Sequence, residues 1–266
     1  MSVTIRTILE DLIGAMEQID GTVDTLKPGN PEMVITGMVT AFCATQYVVE
    51  RTVAMNANLL ITHEGVYYSH HETSEWLEDD PVYLAKLSVI ERSELAIFRY
   101  HDYWHRHQHQ PDGIMVGLLR ELEWSAYVVE QQSTATILSI PAMTVSEAAQ
   151  YIKRKLGISY VRAAGDLSQT CRQVGILVGY RGGGTMAIPL FNQHNLDLII
   201  AGEGPEWETP EYVRDAVHQG RSKALIMLGH AESEAPGMKY LAEVLAQKYP
   251  MIPTYFIAEQ PVYQLV

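Results

Sequence analysis

The chain reads as an α/β protein made of two similar halves with mixed, largely parallel sheets. Three observations predict that class. Short apolar runs of strand length, such as Leu59-Leu60-Ile61-Thr62, alternate along the chain with longer stretches of helical periodicity. Several of these runs stop abruptly at a histidine, a carboxylate or a glycine, as strands do when their carboxyl ends open on a crevice. A length of 266 residues, 47% apolar and 19% charged, supplies one large hydrophobic core or two smaller ones in a globular protein.

The elements follow in order. Ile5, Ile8, Leu9, Leu12, Ile13 and Met16 fall at helical spacing and predict a helix over 4–17 with Thr4 as N-cap. Gly21 and the cluster Lys27-Pro28-Gly29-Asn30-Pro31 predict a long loop. A strand over 34–39, a helix over 44–57 and the Leu59 strand form a strand–helix–strand unit, for which a right-handed parallel crossover is expected. Asp79-Asp80-Pro81 opens a helix over 82–93, because proline suits a first turn, and a strand over 95–100 then ends at His101. Pro111-Asp112-Gly113 leads into a helix over 113–123, followed by a strand over 134–140 and a helix from Ser146 to Leu156. The pattern then repeats with a strand over 172–179, the run Gly182-Gly183-Gly184-Thr185, a short segment and a strand over 196–201. A helix over 209–219, a strand over 224–229 ending at His230, a helix over 236–248 entered through Pro236-Gly237 and a strand over 254–257 complete the chain. The glycine run has no lysine after its last glycine and matches neither phosphate-binding fingerprint, so it predicts a tight turn. The halves are assigned to residues 1–130 with 220–266, and to 131–219.

Charge narrows the partners. The formal net charge of −13 argues against a nucleic-acid partner, which needs a basic face, and is compatible with cation binding. The apolar runs are too short to span a membrane, and Met1-Ser2-Val3-Thr4-Ile5-Arg6 lacks the apolar core of a signal peptide. Cys43 and Cys171, far apart, predict two reduced thiols in a cytoplasmic protein.

Three strand ends carry the chemistry: His63-Glu64 after the Leu59 strand, His101-Asp102-Tyr103-Trp104-His105 after the next, and His230-Ala231-Glu232-Ser233-Glu234 near the C-terminus. Position 67 is Tyr67, so His63-Glu64 does not continue as a zinc-protease motif. His70 and His71 read as a solvated loop, and the alternation from His105 through the histidines at 107 and 109 reads either as a metal-binding loop or as a polar one. Glu232 and Glu234 read either as donors or as caps of the following helix. Mixed imidazole and carboxylate donors suit zinc, manganese, iron, cobalt or nickel. Five or more donors exceed the needs of one tetrahedral ion, so two divalent ions bridged by a carboxylate, ~3.5–4 Å apart, are the economical expectation. The two halves would then face a central metal site.

The order of these motifs resembles the GTP cyclohydrolase I type 2-like family, also called the NGG-one-interacting-factor-three-like family. Its members carry Ile-Thr-His-His-Pro, then His-Thr-Asn-Leu-Asp, then Gly-His followed four residues later by Glu. Here the first motif reads Ile61-Thr62-His63-Glu64-Gly65 and the last Gly229-His230-Ala231-Glu232-Ser233-Glu234. The family's Gly-Gly-Ser-Gly stretch is similar to Gly182-Gly183-Gly184-Thr185. The similarity runs from about residue 34 to the C-terminus. The second histidine of the family's pair is Glu64 here. In the middle motif, an ungapped alignment on His101 puts the family's aspartate at His105, whereas a small shift uses Asp102, which charge chemistry favours. The resemblance implies a dinuclear metal site; the expected ligands are His63, Glu64, Asp102, His230 and Glu234, and Glu232 or His105 is the candidate general base, with a solvated role as the alternative for both. It implies two α/β domains in a ring-shaped homohexamer. The expected activity is hydrolysis of a small substrate, with a nucleotide the candidate class. The rival expectation is a non-catalytic metallochaperone, storage or regulatory assembly.

Overall fold

The computed structural model describes residues 2–14, 16, 18–71, 74–106 and 112–266. In chain order the elements are α1 (Ile5–Ile13), β1 (Met38–Ala41), α2 (Gln46–Ala54), β2 (Leu59–Thr62), α3 (Pro81–Ser93), β3 (Ala96–Arg99), α4 (Asp102–His105), α5 (Gly113–Glu121), β4 (Val128–Gln131) and β5 (Thr136–Thr144). They continue as α6 (Val145–Leu156), β6 (Arg162–Gly165), β7 (Thr170–Leu177), α7 (Gly184–Gln193), β8 (Leu198–Ala201), α8 (Thr209–His218), β9 (Ala224–Met227), α9 (His230–Lys248) and β10 (Thr254–Phe256).

The chain divides into two compact units. The first comprises Met1–Gly113 with Met238–Gln264, and the second Ile114–Gly237 with Leu265–Val266. The sequence reading set the divisions at 130 and 220. In the structure they fall nearer the starts of α5 and of the second half of α9.

The first unit holds a parallel sheet in the order β10-β1-β2-β3. Strands β1 to β3 are buried along their whole length, as parallel strands covered on both faces must be. Val39, Leu60 and Ile97 pack with Val48 and Val49 of α2 and Ile90 of α3. Thr45 caps α2, and Asp80, followed by Pro81 in the first turn, caps α3 through the amides of Val82 and Tyr83. Beyond β3, the segment Thr25–Pro28 runs along its outer edge. Lys27 N–H donates to Ile97 O (2.7 Å), Ile97 N–H to Pro28 O (3.0 Å) and Arg99 N–H to Thr25 O (2.9 Å).

The second unit holds a mixed sheet in the order β4-β5-β7-β8-β9-β6. Its central strands β7, β8 and β9 are parallel and in register at Leu177, Ala201 and Met227. Its core joins Leu177, Ile199, Leu225 and Met227 to Phe191 of α7 and Val213 of α8. A full capping box between Thr144 and Glu147 starts α6, and Gly157 in the left-handed region ends it.

Helix α4 and strand β4 have no counterpart in the sequence expectations, β1 starts later than expected, and three further elements depart from them. Strand β6, Arg-Ala-Ala-Gly, has poor strand propensity and forms by pairing with β9. Helix α7 occupies the stretch read as a short segment, because Pro189 within it breaks the helical signal. Helix α9 begins at His230 rather than at Pro236-Gly237. Ser233 N–H already bonds Gly229 O (3.1 Å), so the first turn is formed before the proline. Pro236-Gly237 is a helix-crossing site: a Cβ on Gly237 would overlap Ile114, and one on Gly117 would overlap Gly237. Among the described residues, no helix is long and apolar enough to cross a membrane.

Candidate metal centre

Strands β2 and β3 are parallel, with Thr62 opposite Arg99, so the residues that follow them emerge side by side. His63 leaves β2 fully buried, and Tyr100-His101 leave β3. The short helix α4 then returns His105 to the same place. One nitrogen from each of His63, His101 and His105 lies within 4.8 Å of the others. The His63 and His101 rings stack at 4.4 Å, and His105 meets them edge-on at 4.8 and 5.0 Å.

Each of these imidazoles has an oxygen acceptor at Nδ1. For His63 it is the Tyr100 carbonyl at 3.3 Å, for His101 it is Asp102 Oδ1 at 3.0 Å, and for His105 it is Asp112 Oδ2 at 2.8 Å. A carbonyl or carboxylate oxygen only accepts, so each Nδ1 carries a proton, and Nε2 is the nitrogen that offers a lone pair in the neutral ring a metal ligand needs. That is the arrangement by which outer partners orient histidine ligands.

Asp24, which no motif in the sequence singles out, holds the turn that makes this possible. Its carboxylate accepts the amides of His101 (2.8 Å), Asp102 (2.8 Å) and Tyr103 (3.0 Å), the first donors of α4. Asp102 Oδ2 in return accepts Val23 N–H at 3.1 Å. The Asp102 carboxyl is held well below the usual carboxylate range, first by its bond with His101 and then by Val23, against the cost of burial.

Glu64 lies beside the imidazoles, with Oε1 3.8 Å from His101 Nε2. Its Oε2 is held by Arg99 Nη2 at 2.7 Å. His70 also reaches this group, 3.6 Å from Glu64 Oε2, and burial followed by the Arg99 charge lowers its pKa.

In the second unit, β7, β8 and β9 each run out into a glycine: Gly179, Gly202 and Gly229. Backbone bonds continue the ladder across them, Glu203 N–H to Gly179 O and Gly229 N–H to Gly202 O, both 2.9 Å. Side chains on the first and last of these glycines would fill the space used by acidic groups, and one on Gly202 would overlap Ser233 Oγ and the Gly179 backbone. A Cβ on Gly179 would overlap Glu234 Oε1, and one on Gly229 would overlap Glu232 Oε2. His230, at the start of α9, is held between Glu203 at Nδ1 (3.0 Å) and Glu234 at Nε2 (3.1 Å). Ser233 completes the frame by accepting Gly179 N–H (2.9 Å) and donating to His230 O (2.8 Å).

Against the expected donors, the first unit brings together His63, His101 and His105, with Glu64 alongside. Asp102 turns its Oδ1 to His101 and stands outside the converging nitrogens. His101 is an alternative donor of the middle motif in the sequence, and Glu203 lies outside the expected donor set. Glu203 announces itself in sequence only as a carboxylate between two glycines after a strand, a common turn pattern. His105, expected as a base or an alternative donor, joins the donors, whereas Glu232 folds toward Gly229. The histidines at 107 and 109 lie outside the described residues. The glycine run begins α7, whose first amide, Gly184 N–H, donates to Glu208 Oε2 at 2.5 Å. A carboxylate of the chain itself thus meets this helix N-terminus.

The first cluster fits a divalent transition ion. Donors ~2.0–2.1 Å from a tetrahedral ion sit roughly 3.4 Å apart. The nitrogens lie within 4.8 Å of one another, at most about 1.4 Å wider than that spacing. Imidazole donors with fixed tautomers match the borderline-soft ions and not magnesium or calcium.

A sequence model of the family described as Duf34/NIF3 (NGG1p interacting factor 3) matches residues 4–261. The GTP cyclohydrolase 1 type 2 homolog of Clostridium perfringens is 23% identical over 254 residues, covering 92% of this chain and 90% of that protein. The protein of the same name from Pasteurella multocida is 24% identical over 246 residues, covering 87% and 84%. Among solved structures, a Bacillus cereus protein related to NIF3 has a TM-score of 0.76 at 13% identity, over 100% of this chain and 99% of its own. A hypothetical protein of Staphylococcus aureus has a TM-score of 0.72 at 17% identity, over 100% of both chains. At such identities the solved structures speak to the fold alone.

Proposed function

This chain belongs to the Duf34/NIF3 family, and from that premise we propose that it is a metal-dependent hydrolase of a small substrate, with a nucleotide the candidate class. The observation that carries the metal part is the set of three imidazoles, His63, His101 and His105, each with Nδ1 against an oxygen acceptor. A divalent ion held there supplies Lewis acidity and lowers the pKa of water. The chain's own residues do the rest. The three histidines bind, and Asp102, Asp112 and the Tyr100 carbonyl fix their orientation. Glu232 is the proposed proton acceptor. The names of the curated relatives support the choice of a nucleotide.

The finer form of the proposal is a dinuclear centre. Its ligands are His63, Glu64, His230 and Glu234, with His101 and His105, or Asp102, from the middle motif. More donors than a single tetrahedral ion takes support that count. The ring-shaped homohexamer belongs to the same proposal, and light scattering that gives a monomer at micromolar concentration rejects it. The experiment for function is elemental analysis of purified protein joined to a panel of nucleotides and phosphoesters, with and without added zinc, manganese, iron, cobalt or nickel. Metal-dependent turnover is expected. Bound metal without turnover on the whole panel overturns the hydrolase and leaves the non-catalytic metal protein.

A further inference from the structure

Arg99 ends β3 with its side chain fully buried. A guanidinium is kept in such a place only if its charge and its donors are met. Nη2 donates to Glu64 Oε2 at 2.7 Å, Nε to the His63 carbonyl at 3.3 Å and Nη1 to the His70 carbonyl at 2.5 Å, and Nη2 also lies 3.0 Å from His70 Nδ1. The two carbonyls anchor the guanidinium to backbone on either side of residues 64–69, so its position does not depend on the carboxylate it holds.

Two consequences follow for Glu64. One oxygen is committed to a charge-assisted bond, and Oε1 is the oxygen near the imidazoles, 3.8 Å from His101 Nε2. The Arg99 charge also offsets that of Glu64, so the carboxylate adds a donor atom with less negative potential than a lone carboxylate brings. We propose that Arg99 sets the ion preference of the imidazole cluster by holding Glu64 as a single-oxygen, charge-compensated donor. Such a donor set favours zinc, cobalt and nickel over manganese, magnesium and calcium, which take several anionic oxygens or a bidentate carboxylate. Arg99 is a positioning residue acting through Glu64, and the inference rests on the reading that the cluster binds a divalent ion.

The test is the ratio of manganese to zinc dissociation constants, measured on the full chain by chelator competition with each ion alone. Arg99→Met removes the guanidinium from the carboxylate, so manganese gains and the ratio falls at least tenfold from the wild-type value. Arg99→Lys keeps the charge without the fork and falls less. In a Glu64→Gln background, Arg99→Met leaves the ratio unchanged, because the residue through which Arg99 acts is gone. A ratio within twofold of wild type in Arg99→Met, or the same fall in both backgrounds, overturns the inference. If near-ultraviolet circular dichroism shows that Arg99→Met does not fold, Arg99→Lys and Glu64→Gln decide, and an unchanged ratio in both overturns it. A wild-type protein that binds no zinc overturns the metal reading itself, an outcome distinct from bound zinc with an unaltered ratio.

Discussion

Asp102 Oδ1 lies 3.0 Å from Nδ1 of His101, and the two side chains come from adjacent residues at the start of α4. The carboxylate therefore orients an imidazole rather than joining the nitrogens that converge. His105→Ala is expected to lose bound ion, and Asp102→Ala to keep it with affinity lowered 10–100-fold, the usual cost of an outer partner. Charge chemistry read from sequence gave the opposite order. The metal-to-protein ratio of each variant, purified under identical metal supply, checks this. Loss of metal in Asp102→Ala alone returns Asp102 to the ligand set.

The second unit offers its own test. His230 is held by Glu203 and Glu234. Replacing His230 and Glu234 together with Ala is expected to lower metal content while the far-ultraviolet spectrum is kept. Wild-type metal occupancy in the double variant removes the third motif from the centre.

Asp24→Ala strips the acceptor from three consecutive amides at the start of α4. Loss of a cap costs ~1–2 kcal/mol, and amides left without an acceptor add to it. Urea unfolding measures the stability, and ion affinity is expected to fall in parallel because His101 and His105 lose their frame. Unchanged affinity separates the cap from the centre.

Lys86 gives a pH signature. It is buried, donates to the Val66 carbonyl and lies 5.6 and 5.2 Å from the Tyr67 and Tyr68 rings. Burial lowers its pKa from 10.5 to about 8. Below about 8 the amine is charged in both folded and unfolded chains, and the full burial cost is present. Between about 8 and 10.5 the folded chain has released a proton that the unfolded chain keeps, so this group's contribution to stability rises with pH. Over the whole window the gain is about 3 kcal/mol. Lys86→Met should lack it, and unfolding free energies that run parallel for wild type and variant between pH 7.5 and 10.5 reject the assignment.

Gly179 has φ of +60°, in the left-handed region, and a Cβ there meets Glu234 Oε1. Gly179→Ala is expected to destabilise by about 1–3 kcal/mol and to displace Glu234. A calorimetric melting temperature equal to wild type argues against the clash.

The sequence was most legible where one physical signal dominated. Continuous apolar runs gave β2, β3, β8 and β9, and Thr4, Asp80 and Ser146 with Glu147 marked helix starts within a residue or two of those observed. Strand-end histidines pointed to His63, His101, His105 and His230. What stayed hidden depended on partners distant in sequence. Asp24 caps a helix 77 residues on, counted to His101. Arg99 reads as one polar residue in a strand until His63, Glu64 and His70 surround it. Pro236-Gly237 reads as a helix entry, because nothing local shows that Ile114 presses on the glycine.

The segment Val23–Pro28 does two jobs at once. Thr25, Lys27 and Pro28 seal the outer edge of β3, while Val23 and Asp24 hold Asp102 and the start of α4. An ion that binds only the folded chain adds to the free energy of every opening that breaks its site. Releasing this segment breaks the edge seal and the α4 frame together. The Ile97 and Arg99 amides, which bond to Pro28 and Thr25, thus become reporters of occupancy: their hydrogen exchange should slow as the ion is added, although neither amide touches it.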